Sequence, residues 1–265
     1  MKRRLILLLT LLLPLGAAAQ GTVEDLTTDF RGRINLGVDK KIKKGLHLEA
    51  EFESRFKDNF ATPSRLSGTV GISYKVNSYL KVGGSYTFME NYKDSKSTWY
   101  PRHRVTLSVT GGYKVGDWRF SLNERLQATH LTEPINTCQE PRNVLYLKSR
   151  LKVAYKGSRV IEPYAYVDAR LLLNGASASA TWSTSSLAYS NYSFEGYTSV
   201  YFNRLRGSIG ADWNVSRHHV LTLYLLADYC YDKDIDVSSE HDTLKSLTYS
   251  QAFNTTIGLG YTFKF

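Results

Sequence analysis

From residue 30 to the last residue, apolar and polar side chains alternate with a period of two, segment after segment. The final stretch, FNTTIGLGYTFKF, places Phe253, Ile257, Leu259, Tyr261, Phe263 and Phe265 at odd positions. Asn254, Thr256, Gly258, Gly260, Thr262 and Lys264 lie between them. That period puts one kind of side chain on each face of a β-strand. A soluble strand built this way, ending on an aromatic residue, would be an edge that invites aggregation. A lipid-facing apolar side resolves the difficulty.

Eleven such segments can be counted, at 30–41, 46–56, 65–76, 79–89, 103–113, 118–128, 145–155, 160–171, 199–213, 219–231 and 253–265. Their connections alternate in length. Short turns fall at 43–45, 76–78, 115–117, 156–159 and 214–218, and longer polar segments near 57–64, 90–101, 129–143, 172–198 and 232–247. This is the layout of an outer-membrane barrel. The expected fold is an all-β, antiparallel transmembrane β-barrel with short periplasmic turns and longer extracellular loops. Bacterial barrels usually have even strand numbers, so the expected count is twelve, completed by a short segment within 20–29, with ten as the alternative.

Aromatic residues gather at strand ends. Tyr74, Tyr113, Trp118, Tyr155, Trp213, Tyr261, Phe263 and Phe265 fall at the short-turn side, and Phe56, Phe88, Tyr201 and Tyr229 toward the other. Amphipathic rings at headgroup level produce such girdles. Tyr261, Phe263 and Phe265 also form a candidate C-terminal signal for the outer-membrane assembly machinery.

The N-terminus has another character. Residues 1–19 carry Lys2, Arg3 and Arg4, an apolar run from Leu5 to Leu15, and Ala17, Ala18 and Ala19. Those are the parts of a cleaved secretory signal, leaving a barrel domain over 20–265. No later run reaches the roughly 20 apolar residues of a helical span, and mean hydropathy is −0.31. The net charge of +10 fits anionic lipid, lipopolysaccharide or small anionic solutes better than nucleic acid in an exported chain.

Strand parity turns much of that charge inward. Arg31, Arg33, Arg55, Arg65, Arg104, Arg119, Arg125, Lys148, Arg150, Lys152, Arg170, Arg204 and Arg206 share the polar face with Glu49, Glu51, Glu53, Glu162, Asp168, Asp212 and Asp228. Two readings stand. The charges form an ion-pair ladder that fills and stiffens a narrow barrel, or a basic lining that favours anions. Arg31, Arg33 and Arg65 are the expected partners of Glu49, Glu51 and Glu53.

A catalytic reading finds little to build on. There is no His-x-Ser triplet, and the loop Ser238, Ser239, Glu240, His241, Asp242 reads as solvated polar chain; no metal or cofactor is expected. Cys138 and Cys230 fall on the same side of the inferred membrane, and the exported setting permits a disulfide between them.

Three stretches, PRHRVTLSVTGGYKVGDWRFSLNERLQ, YLKSRLKVAYK with EPYAYVDARLLL, and NRLRGSIGADWNVSRHHVLTLYLLADY, together with KKGLHLEAEFESRF, carry a resemblance. In them the chain resembles the domain-of-unknown-function 2490 family of outer-membrane β-barrels. The resemblance implies a barrel in the outer membrane of a Gram-negative cell and brings no catalytic residues. The function expected is a small channel or transport barrel with a cationic lumen, the alternative a plugged structural or envelope-interaction barrel.

Overall fold

The computed structural model describes residues 22–185, 188–238 and 244–265. The segment 1–19 and the loop residues Ser239, Glu240, His241 and Asp242 lie outside them. Eleven long strands form one closed sheet: β1 Thr27–Lys43, β2 Leu46–Lys57, β3 Thr62–Lys75, β4 Leu80–Lys93, β5 Thr98–Val115, β6 Trp118–Leu131, β7 Asn143–Tyr155, β8 Ile161–Gly175, β9 Ser199–Asn214, β10 His219–Val237 and β11 Leu244–Lys264. Each pairs antiparallel with its neighbours in sequence, and β1 closes the ring against β11.

That closure corrects the expected count. The barrel has eleven strands, neither twelve nor ten. An odd number leaves the first and last strands pointing the same way, so the seam is parallel, from Thr27 opposite Ala252 to Asp39 opposite Lys264. Parallel pairing is slightly weaker per residue, but thirteen consecutive partners hold this one. The segment expected to supply a twelfth strand forms only the two-residue strand Thr22–Val23. It pairs parallel with β11 at Thr248 and Tyr249 and prolongs the seam. The preference for an even number came from bacterial habit; the alternation itself shows eleven segments.

One end of the barrel is built from tight turns. Gly45 and Gly116 adopt φ of 80° and 56°, the left-handed backbone that short hairpin connections require. The other end carries the longer connections, although most strands extend further than the alternation indicates. Between β4 and β5 only a single turn, Asp94–Lys96, with Ser97 remains. Between β8 and β9 lies a hairpin of Ala178–Ser183 and Ala188–Phe194.

Outside, the wall is apolar. Ile34, Val70, Leu107, Leu151, Ile209 and Leu223 are all about half exposed or more. Inside, it is polar. A few apolar side chains such as Met89 and Leu226 are buried among the polar ones, and at the loop end Leu131, Val144 and Leu172 are buried together with Ile135, Tyr146 and Tyr201 packed on them. Tyr201 is a correction to the outer girdle. A bulge between Phe202 and Arg204 shifts the register of β9, which turns Tyr201 inward against Leu172.

Above that apolar layer the loop 132–142 reaches across the mouth. Gln139 Nε2 donates to Asp236 Oδ1 at 3.2 Å, and Tyr197 Oη donates to the carbonyl of Thr137 at 2.5 Å. Cys138 packs with the hairpin's Tyr192 and Phe194 on Ile235 and Val237. Arg102 binds Glu133, and Arg142 donates to the carbonyls of Leu131 and Glu133 at 3.0 and 2.7 Å. Loop and hairpin together form a cap over the loop end.

Candidate functional site

Beneath the cap lies an interior cavity of about 420 Å³. Its charge is organised by three buried carboxylates, each held between two arginines. Glu53 on β2 lies 3.3 Å from Arg33 Nε and 2.5 Å from Arg55 Nη2. Asp168 on β8, fully buried, takes Arg125 Nη2 at 2.7 Å and Arg150 Nη2 at 3.0 Å through one oxygen. Asp228 on β10 faces Arg204 Nε at 3.3 Å and Arg206 Nη2 at 3.2 Å. Every node of two guanidiniums and one carboxylate keeps a net positive charge.

The remaining cations have neutral company. Arg65 Nε donates to Asn91 Oδ1 at 2.6 Å and Arg104 Nε to Thr129 Oγ1 at 2.9 Å. Arg170 Nε donates to Asn203 Oδ1 at 2.7 Å and lies 4.4 Å from the centre of the Tyr146 ring. Lys152 sits over Tyr164 at 3.8 Å, and Arg150 of the Asp168 node also sits over Tyr166 at 4.0 Å. Such cation–π contacts hold a charge in place without neutralising it. Among the described residues Lys148 has no hydrogen-bond or ion-pair partner.

The tyrosines need glycines opposite them. Gly210 pairs with Tyr164 and Tyr224, and Gly258 with Tyr224. A β-carbon on Gly258 would collide with the Tyr224 ring, and one on Gly210 with Tyr224 and the Tyr164 hydroxyl. Rings laid over glycines in adjacent strands fill the gap that the missing side chain leaves. Further toward the turn end, Gly71, Gly83, Ser85, Ser108 and Thr110 leave another 220 Å³ beside Glu49 and Arg125. Polar space therefore continues downward while the loop end is capped.

Of the charged residues marked by parity, Arg33, Glu51, Glu53, Arg55, Arg65, Arg104, Arg125, Lys148, Arg150, Lys152 and Arg206 line the cavity, and their pairing differs from expectation. Arg33 does reach Glu53, whereas Arg31 binds Asp29 at 2.6 Å and Arg65 binds Asn91. Glu49 accepts from Ser73 and Lys81 at 2.7 and 3.0 Å, and Glu51 from Asn35 at 3.1 Å. Arg119 lies near the turn end, away from the cavity. Lys152 and Arg170 extend the basic face along β7 and β8. Sequence reasoning passed over Arg102, because β5 begins five residues earlier than the alternation indicates, and Asn203, which the bulge in β9 turns inward.

The disulfide that the exported setting would permit is not formed: Cys138 and Cys230 are both free thiols. Strand β10 continues to Val237, so Cys230 lies well inside the barrel instead of at the rim. Its Sγ accepts from Arg204 Nε at 3.2 Å, while Cys138 sits in the cap.

Residues 34–239 match the family described as protein of unknown function DUF2490. The chain belongs to the DUF2490 family. The matched span includes every member of the three carboxylate nodes except Arg33. No curated protein is recognisably similar in sequence. Among solved structures, the NanC porin is similar over 89% of this chain and 99% of its own, with 13% identity and a TM-score of 0.42. The ferric yersiniabactin uptake receptor FyuA from Yersinia pestis is similar over 89% of this DUF2490 chain and 44% of its own, with 14% identity and a TM-score of 0.26.

Proposed function

We propose that this DUF2490 protein is an outer-membrane barrel that admits small anionic solutes to its interior. One observation carries the reading: nine arginine and lysine side chains line the 420 Å³ cavity, against only Glu51 and Glu53. Rings of like charge set the sign of the solute that enters. The apolar outer wall supports membrane insertion, because a closed barrel satisfies its backbone internally and presents only side chains to lipid. Aromatic pairs at the turn end add to that support, with Trp118 on Tyr155 at 5.2 Å and Phe263 on Phe265 at 4.5 Å. The N-terminal signal expected from the sequence is consistent with export.

The cap favours a second state of the same barrel, closed at the loop end. Planar-bilayer recordings of the refolded protein, beside a variant lacking residues 133–141, test both. The reading expects weak conductance from the full chain and steady, anion-preferring conductance from the shortened one. Cation preference, or silence from both folded and inserted forms, would overturn the channel and leave a plugged envelope barrel.

A further inference from the structure

We infer that the cavity is a binding site for a multivalent anion, a small solute carrying two or more phosphate or carboxylate groups. The inference deepens the anion reading above, and its charge balance is the starting point. The three nodes each retain one positive charge, and Arg65, Arg104 and Lys148 add charges that no carboxylate meets within ion-pair distance. Glu51 offsets one of them. Like charges held close together inside a protein repel more strongly than they would in water, and the apolar outer wall offers no counter-ion. Several such pairs in one small space demand an anion from within.

The donors are also left ready. Arg125 Nε and Arg206 Nε are buried without a hydrogen-bond partner, and both side chains line the cavity. Arg206 lies opposite Asp168 on one side and Asp228 on the other, so it joins two nodes. Arg125 on β6 and Arg206 on β9 stand three strand spacings apart along the wall, about 14 Å at about 4.8 Å each, so the positive centres are spread over more of the cavity than one monovalent ion touches. Guanidiniums bind phosphate and carboxylate oxygens through paired hydrogen bonds, and a volume of about 420 Å³ lies in the usual range for small-ligand sites.

Titration calorimetry on the folded barrel in micelles, at constant ionic strength, tests this without requiring conduction. The probes are pyrophosphate, citrate, orthophosphate and chloride. Pyrophosphate or citrate is expected to bind at one site per barrel, at least tenfold more tightly than orthophosphate, with chloride undetected. Arg65→Gln combined with Lys148→Gln is expected to weaken that binding tenfold or more. Arg119→Gln, outside the cavity, leaves it unchanged, and Lys148→Arg restores it. Folding of each variant is checked by heat-modifiable gel mobility, and single variants replace the pair if it fails to fold. Pyrophosphate favoured over citrate identifies a phosphorylated solute, and the reverse a polycarboxylate. Equal, weak heats from all four anions, or binding that the cavity variants do not alter, overturn the site. Tight binding by a barrel that never conducts keeps the site and removes the channel.

Discussion

Arg125 on β6 donates to Asp168 on β8 at 2.7 Å, reaching past the whole of β7. Arg150 on β7 donates to the same oxygen at 3.0 Å. A carboxylate with no solvent exposure therefore ties three strands together. Removing it leaves two buried guanidiniums facing each other, and breaking a buried ion pair by deleting one partner costs about 3–5 kcal/mol. Asp168→Asn keeps the shape and removes the charge. Its barrel is expected to unfold at clearly lower urea concentration in micelles than the parent; an unchanged midpoint would mean that water or a bound ion already compensates the arginines.

The cap gives a pH dependence of definite sign. Burial holds the Glu140 carboxyl above the ordinary carboxylate range, against the pull of Arg102 and with Glu133 adding to the shift. A raised acid stabilises its folded setting while it is protonated. The contribution is complete below the unfolded value and disappears as pH rises through the folded one. The open fraction in bilayer recordings is thus expected to grow from acidic toward neutral pH, and Glu140→Gln to flatten that rise. Opening that grows on acidification instead would show that loss of the Arg102–Glu133 pair governs the cap.

Parity made the inward charges legible because alternate residues of a strand must face opposite sides. Which charges meet was hidden, since Arg125 finds Asp168 two strands away through the tilt and stagger of the closed sheet. Tyr201 and Asn203 were hidden by the bulge beside them, which adds one residue and reverses the faces. The cap was hidden for a different reason. Loop 132–142 has no period, and its anchors at Asp236 and Tyr197 are distant in sequence. Strand count was visible in the alternation and then displaced by a rule about other barrels.

Glu124 interrupts the outer face midway along β6. Its carboxylate accepts from Ser149 Oγ at 2.6 Å, and Leu107, Val109, Leu122, Leu126 and Leu151 around it are 46–60% exposed. If that belt lies in lipid, a charge there is unfavourable in proportion to its depth. Glu124→Leu is expected to fold with equal or greater stability. Glu124→Lys is expected to lose about 2–4 kcal/mol in lipid vesicles, the magnitude for a basic residue at the midplane. The same ranking should vanish if the wall faces water, so equal stability of the two variants argues against insertion.

The seam offers the most direct test of the architecture. Leu36 and Tyr261 are direct partners in the parallel pairing of β1 with β11, whereas Leu36 and Phe265 are displaced by four residues along the strand. Adjacent parallel strands bring paired Cα atoms within the 4.4–6.8 Å that a disulfide needs, while a four-residue offset adds about 13 Å. With Cys138 and Cys230 replaced by serine, Leu36→Cys with Tyr261→Cys is expected to cross-link on mild oxidation, giving faster, reductant-sensitive migration of the unfolded chain on gels. Leu36→Cys with Phe265→Cys is expected to remain reduced. A twelfth strand between β1 and β11 would separate both pairs by two strand spacings, about 9.6 Å, and neither would form. An antiparallel closure would bring Leu36 opposite another residue altogether, so cross-linking of the first pair alone identifies both the odd count and the direction of the seam.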